Sequence, residues 1–302
     1  QVTIDALKQV SRWESISPAT RVFGVVGSPV GHSMSPAIHN AGFGEIGLDA
    51  VYVPLLVNPG YESFKAFMET WHSFAPLHLS GLSVTIPHKE NALRYATEKG
   101  WSVDAVARSI GAINTLVLDG SPRGFSSDAD AIVDALGVSR QELASRRVAV
   151  IGAGGTGRTA VASLASLGAT VVVYNRTRDR AEMLAQEFNG RSGKVVSADR
   201  SKPCGSCCDI FINTTSLGMK PLTEASPFDD NQPQLTRDVI VFDAVYNPLE
   251  TKLIRQAREA GARVVRGDEM FIRQACGQFE AWTAKPAPME TMRRILRSRL
   301  DA

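Results

Sequence analysis

The sequence predicts an α/β protein built as two successive domains, each a sheet covered by helices. Three observations carry this. Strand-like and helix-like segments alternate in two series that meet near Arg147, and such alternation signals parallel sheets flanked by helices. A glycine-rich turn, Gly152-Ala-Gly-Gly-Thr-Gly157, opens the second series. The chain has 302 residues, 44% of them hydrophobic, enough for two medium domains with full cores.

In the first series Val22–Gly27, Ala50–Val57 and Leu82–Ile86 read as strands. Ile38–Ile46, Tyr61–Trp71 and His88–Tyr95 read as the helices between them. Ala112–Leu118 reads as a further strand, followed by a turn over Ser121-Pro-Arg-Gly124. The second series begins with strand Val148–Ile151 and helix Thr156–Leu167. Strand Thr170–Tyr174, helix Arg178–Phe188, strands Ile210–Asn213 and Val239–Ala244, and helix Leu249–Ala260 continue it. Helices Asp268–Trp282 and Met289–Leu300 close the chain. An active site between two such domains is the expectation.

A net charge of +2 argues for neither nucleic acid nor an anionic membrane surface. No apolar run approaches the roughly 18 residues that cross a bilayer, and no secretory signal is legible. A cytoplasmic protein is expected, or a plastid one if the source is a plant. Cys204 and Cys207 spell C-x-x-C, with Cys208 and Cys276 elsewhere. A zinc site needs about four ligands, and no second pair or nearby histidine supplies them. These cysteines read as structural or incidental, and no metal is expected.

The glycine-rich turn follows a strand and opens a helix, the context a dinucleotide site requires. Gly152 permits the tight turn, Gly154 lets the backbone approach a pyrophosphate, and Gly157 allows close helix–strand packing. Amides at the helix start, from Gly155 and Thr156 on, would hold the phosphates. An NAD site carries an acid roughly 20 residues on. Here the next strand ends in Tyr174-Asn175-Arg176-Thr177-Arg178-Asp-Arg180, with arginines and no acid at the tip. A guanidinium grips a 2′-phosphate bidentately, so NADP(H) is the inferred cofactor. The plain alternative is a solvated basic helix start with Thr177 as N-cap. In the first domain, Ser33 and Ser35 precede Pro36 at a helix start. Ser35 is the expected N-cap, and both hydroxyls could meet one carboxylate there. His32 and His39 read as structural.

These segments together resemble the shikimate dehydrogenase family. Gly27-x-Pro-x-x-His32-Ser33-x-Ser35-Pro36-x-x-His39-Asn40, Val84-Thr85-Ile-Pro87-His-Lys89 and Gly111-Ala-Ile-Asn114-Thr115 match its pattern. So do Asn175-Arg176-Thr177, Asn213-Thr-Thr-Ser-Leu-Gly218-Met219, Asp243-Ala-Val-Tyr246-Asn-Pro248 and Gly267-x-Glu-Met270-x-x-x-Gln274-Ala275. The resemblance implies NADPH-dependent reduction of 3-dehydroshikimate to shikimate. Lys89 and Asp128 would be the catalytic pair. Ser33 and Ser35, helped by Tyr246, would bind the substrate carboxylate. Thr85, Asn114 and Gln274 would bind ring hydroxyls, with Gln278 on the same helix face as Gln274. The cofactor residues would be Gly152 to Gly157 (Ala153 and Gly155 included), Asn175, Arg176, Thr177, Arg180, Thr214, Met219, Gly267 and Met270. The domains would be 1–126 for substrate, 127–267 for NADP, and 268–302 as helices packing on the first.

Two departures stand out. The family's Asn-Val-Thr is Ser83-Val84-Thr85 here, as in the plant-type bifunctional enzymes. Its Gly-x-Asn-Thr-Asp-Gly is Gly124-Phe-Ser126-Ser127-Asp128-Ala129, which keeps the aspartate and alters its neighbours. The opening segment, with Trp13 and Ile16-Ser-Pro18-x-Thr20, resembles the linker after a dehydroquinate dehydratase domain, and the chain opens on Gln1 rather than Met. A fused dehydratase partner upstream is therefore an expectation. The rival readings are an enzyme that also uses quinate, and a non-catalytic NADP-binding sensor, which predicts a degraded Lys89 or Asp128.

Overall fold

The computed structural model describes residues 16–31, 33–73, 78–198, 203, 206–228 and 235–300. They fall into two compact units. One gathers the chain up to Ser127 together with the residues from Gln274 onward; the other is Asp128–Arg273. Among the described residues, no helix is long and apolar enough to cross a membrane.

The first unit runs β1 (Arg21–Gly27), α1 (Ser35–Glu45), β2 (Ala50–Leu56), α2 (Tyr61–Ser73), β3 (Leu79–Val84), α3 (Lys89–Glu98), β4 (Ser102–Val103), α4 (Ala105–Ile110), β5 (Thr115–Val117) and β6 (Arg123–Phe125). The sheet order is β2-β1-β3-β5-β6-β4. It is mixed rather than all parallel, because β5 runs antiparallel to both β3 and β6. Phe64, Leu82, Tyr95, Ile113 and Leu116, each at most 2% exposed, fill one core face.

The expected strand over Ala112–Leu118 is shorter. Asp104 caps α4 by accepting from the Ala107 amide, and Gly111, at φ 80°, ends that helix. Only Thr115–Val117 then pairs as strand. The expected turn at residues 121–124 also moves, since Arg123 and Gly124 already pair with Val117 and Leu116.

The second unit runs α5 (Ser127–Ala135, its first residue in unit one), α6 (Arg140–Leu143), β7 (Arg147–Ile151), α7 (Gly155–Ser166), β8 (Thr170–Tyr174), α8 (Arg178–Phe188), β9 (Lys194–Ser197), β10 (Ile210–Asn213), β11 (Ile240–Asp243), α9 (Lys252–Glu259) and β12 (Arg263–Arg266). All its strands pair in parallel, in the order β12-β11-β10-β7-β8-β9. Counted from β7, that is the doubly wound 3-2-1-4-5-6 order, whose direction reverses between β7 and β10. β9 and β12 carry no strand signal in the sequence. Both are edge strands with charged ends, Lys194 in one and Arg263 and Arg266 in the other, so neither shows the apolar run of a buried strand. Then α10 (Gly267–Thr283) begins in the second unit and ends in the first, followed by α11 (Met289–Leu300).

Candidate functional site

Topology gathers the singled-out residues of the first unit at one end of its sheet. β1 and β3 are parallel neighbours. Antiparallel pairing sets Ser83, near the end of β3, opposite Thr115 at the start of β5. It also sets Phe125, the end of β6, opposite the same Thr115. The loops after β1 and β3, the residue before β5 and the residues after β6 therefore share an edge. They carry Ser33 and Ser35, Thr85 and Lys89, Asn114, and Ser126-Ser127, which leads into Asp128 in the first turn of α5.

Ser35 is not the N-cap. Met34 occupies that position without a side-chain bond, and Ser35 and Pro36 begin α1. The Ser33 hydroxyl accepts from the Ser35 amide at 3.3 Å, so the local bond expected of Ser35 falls to Ser33. Ser35 is buried beside Tyr52, whose phenol is held above its usual range by burial, with the Ser83 and Ser35 hydroxyls offsetting part of it. His32 lies outside the described residues. His39, fully buried, stacks on Tyr52 with ring centroids 4.5 Å apart. Neither of its ring nitrogens finds a hydrogen-bond partner among the described residues. Burial pulls its pKa down to about 3, and the neighbouring Gln278 amide offsets only part of that.

Lys89 is the first residue of α3, half-buried, and its backbone carbonyl accepts from the Ile113 amide at 3.0 Å. The preceding His88 is buried, bonded to the Val57 carbonyl at 2.9 Å through Nε2 and to Asn91 at 3.1 Å through Nδ1. Because that carbonyl can only accept, Nε2 donates and Nδ1 accepts from the Asn91 amide. The lysine's backbone is thus fixed from both sides. Thr85 is half-buried, its amide bonded to the Val26 carbonyl at 2.9 Å.

Asn114 is 4% exposed. Its Oδ1 accepts from the Ser127 amide and the Thr115 hydroxyl, each at 2.8 Å, and its Nδ2 donates to Ser127 Oγ at 3.0 Å. The altered Ser126-Ser127 pair therefore keeps a supporting role, since Ser126 also donates from its amide to Asp104 at 3.1 Å. Gln278 differs from its expectation as a ligand residue. It is 1% exposed; Oε1 accepts from Ser83, and Nε2 donates to Thr115 Oγ1 and the Asn114 carbonyl. Both amide hydrogens are thereby committed inside the protein. Gln274, one turn earlier, is half-buried.

In the second unit a pocket of about 420 Å³ lies at the strand-order reversal, between the turn after β7 and the loop after β10. Its walls include Gly152, Ala153, Gly154, Asn175, Arg176 and Thr214. Gly152 sits at φ 111°, and a Cβ on Gly157 would lie 2.1 Å from the Gly152 carbonyl, so both glycines are demanded by the turn. Gly154 and Gly155 are different: a Cβ on either meets nothing within 4 Å. Nothing inside the protein requires glycine there, whereas a phosphate approaching the open N-terminus of α7 would. Asn175 accepts from the Ala153 amide at 3.2 Å and donates to the Thr177 carbonyl at 2.8 Å, tying the two loops together.

The three arginines separate. Arg178 pairs with Glu182 at 2.6 Å. Arg176 and Arg180 are exposed and in no ion pair among the described residues. Thr177 occupies the N-cap position of α8 without a side-chain capping bond, so the plain capping alternative does not describe its hydroxyl. Thr214 donates to the Ile151 carbonyl at 2.9 Å. Beneath it, Asn213 is bonded to Thr215 and, through Nδ2, to buried Asp243 at 2.9 Å. Asp243 also accepts from Thr251 at 2.6 Å; burial raises its pKa to about 6. Asn213 and Asp243 each open a motif that matches the family pattern, but their pairing as a prop shows only in the fold. Met219 is 45% exposed and Met270 half-buried. Gly267 stands where a Cβ would meet the Ala244 carbonyl at 2.5 Å, which accounts for that glycine by packing. Tyr246 is half-buried against Phe271, at 5.1 Å between rings, and burial raises its phenol pKa.

Cys204 lies outside the described residues. Cys208 is buried, which pushes its thiol up to about 12 and leaves it a poor nucleophile. Among the described residues, no group of three His, Cys, Asp or Glu could hold a metal ion.

Comparison with known proteins matches three family models. They are the shikimate dehydrogenase substrate binding domain over residues 25–116, shikimate / quinate 5-dehydrogenase over 136–252, and the shikimate 5′-dehydrogenase C-terminal domain over 267–297. The chain is 39% identical to the chloroplastic bifunctional 3-dehydroquinate dehydratase/shikimate dehydrogenase of Arabidopsis thaliana, over 98% of this chain and 49% of that one, so it spans about half of that relative. It is 37% identical to the NADP(+) shikimate dehydrogenase of Shouchella clausii, over 93% of this chain and 99% of that one. A shikimate dehydrogenase from Thermus thermophilus, solved with NADP(H) and shikimate, superposes with a TM-score of 0.76 at 30% identity, over 92% and 99% of the two chains.

Proposed function

The chain belongs to the shikimate dehydrogenase family, and we propose that it catalyses the reversible, NADPH-dependent reduction of 3-dehydroshikimate to shikimate. The observation that carries this reading is the convergence of Ser33, Ser35, Thr85, Lys89 and Asn114 on one edge of the first unit's sheet. The second unit supplies a built dinucleotide turn beside an uncommitted Arg176. NADPH provides the hydride when bound. The open amides of α7 hold its pyrophosphate, and Arg176 and Arg180 grip the 2′-phosphate.

In the substrate, the Ser33 and Ser35 hydroxyls take the carboxylate, with Tyr246 assisting. Thr85, Asn114 and Gln274 meet ring hydroxyls. Lys89 polarises the ketone and gives its oxygen a proton, and Asp128 orients the lysine or a ring hydroxyl. Both members of that pair are present, as the silent-sensor reading does not predict. The 1–126, 127–267 and 268–302 division reads as substrate, cofactor and returning helices. The likeness to half of the Arabidopsis relative supports reading this chain as the equivalent of a dehydrogenase half, with a dehydratase as its fused partner.

Initial rates with shikimate and with quinate, each with NADP and NAD, test the reading. Shikimate with NADP should give the largest kcat/KM. A preference for quinate or for NAD would overturn the substrate or the cofactor assignment respectively.

A further inference from the structure

One unbroken line of buried hydrogen bonds crosses the first unit and ends on Asn114. Tyr52 donates from its phenol to Ser83 Oγ at 2.6 Å, and Ser83 donates to Gln278 Oε1 at 2.7 Å. Gln278 Nε2 donates to Thr115 Oγ1 at 3.1 Å, and Thr115 Oγ1 donates to Asn114 Oδ1 at 2.8 Å. None of the five residues is more than 6% exposed, so water offers them no substitute partners.

Backbone groups fix the direction of this line. The Asn114 carbonyl can only accept, so the Gln278 end that faces it at 3.3 Å is the nitrogen. The Ser127 amide can only donate, so the Asn114 end that faces it at 2.8 Å is the oxygen. Ser83 then passes its proton to Gln278 Oε1, and Thr115, which receives from Nε2, has Asn114 Oδ1 at 2.8 Å as its nearer acceptor and Ser127 Oγ at 3.2 Å as the other. Asn114 then has its oxygen occupied, and its nitrogen keeps one hydrogen beyond the bond to Ser127 Oγ.

We propose that Tyr52, Ser83, Gln278 and Thr115 form a directional relay that presents Asn114 to the substrate as a donor, making them positioning residues for the reaction. The proposal rests on the shikimate reading. A donor-only group at this place selects a ligand oxygen that accepts. It disfavours one whose only polar group there is a donor. Without the Ser83 hydroxyl, Gln278 Oε1 loses its donor, and the amide is held only through Nε2, by Thr115 Oγ1 and the Asn114 carbonyl. The Thr115 hydroxyl, no longer fixed by a firmly held Gln278, orients Asn114 Oδ1 less tightly and leaves that amide to its bonds with Ser127.

The test measures steady-state kinetics and melting for wild type, Ser83→Ala and Thr115→Val, alone and combined with Asn114→Ala. Thr115→Val keeps the side chain's shape, so it carries the test if Ser83→Ala does not fold. Each single variant should lower kcat/KM for shikimate about tenfold, the scale of one lost hydrogen bond, with KM for NADP unchanged. In the Asn114→Ala background either change should cost nothing more, because its target is gone. Wild-type kcat/KM in both variants, or losses that add in full to that of Asn114→Ala, would overturn the relay. Lack of wild-type turnover of shikimate with NADP would instead sink the functional reading, and the relay's role with it.

Discussion

At the residue scale, Arg176 carries the choice between the two nicotinamide cofactors, because it lines the pocket and has no acidic partner among the described residues. Arg176→Ala should weaken NADP by about 1.5–3 kcal/mol, the range for a hydrogen bond to a charged group, and leave NAD nearly untouched. Binding titrations of both cofactors check this; equal weakening would remove Arg176 from the phosphate. His39 makes a separate prediction. Its folded pKa of about 3 lies below the ordinary value of 6.5 for histidine, so between those values the folded state binds fewer protons than the unfolded one. Stability must fall as pH drops from 6.5 toward 3, by up to about 5 kcal/mol. His39→Phe keeps a ring on Tyr52 and should flatten the acid side of the melting-temperature profile relative to wild type. Asp243, raised to about 6, has the opposite sign: the folded state holds its proton longer, so its contribution is lost as pH rises through that value. The difference between variant and wild type isolates the histidine.

At the element scale, the strand–turn–helix unit from β7 into α7 contains glycines of two kinds. Gly157→Ala drives a methyl into the Gly152 carbonyl and should lower the melting temperature, at a cost of about 1–3 kcal/mol. Gly154→Ala meets open space, and that residue's extended backbone suits alanine. Its stability should hold or rise slightly while NADP affinity falls, and calorimetry with a binding titration separates the two outcomes. The sequence shows this unit plainly, because its glycine spacing sits between an apolar strand and a helix. It does not show β4, β6, β9 or β12, and it overstates the length of β5. These run two to four residues, too short for a period of two to emerge. Nor does it show that Ser33 rather than Ser35 takes the capping bond, which depends on where the turn after β1 ends.

At the scale of the whole molecule, the sequence exposes the groups that would touch ligands and conceals those that hold them. Lys89, Asp128 and the arginines after β8 sit in recognisable motifs. Tyr52 and Asp104 look like ordinary members of strands and loops, Asp243 opens a motif that does not reveal its buried role, and their partners lie 22 to 31 residues away in the chain. The flanking of β1 by β2 and β3, the pairing of β4 with β6 and that of β10 with β11 bring those partners within bonding distance. Gln278 crosses from one class to the other, being legible as a polar residue one turn from Gln274 and buried as a support once folded. The central claim divides the labour between units, with the dinucleotide held by the second and the proton supplied from the first by Lys89. The most direct measurement is kcat for shikimate oxidation by Lys89→Ala, with NADP affinity and melting temperature taken on the same preparation. The account predicts a fall of about 10²–10⁴ in kcat, the usual worth of a positioned proton donor, with affinity and melting near wild type. A kcat within a few-fold of wild type would contradict it.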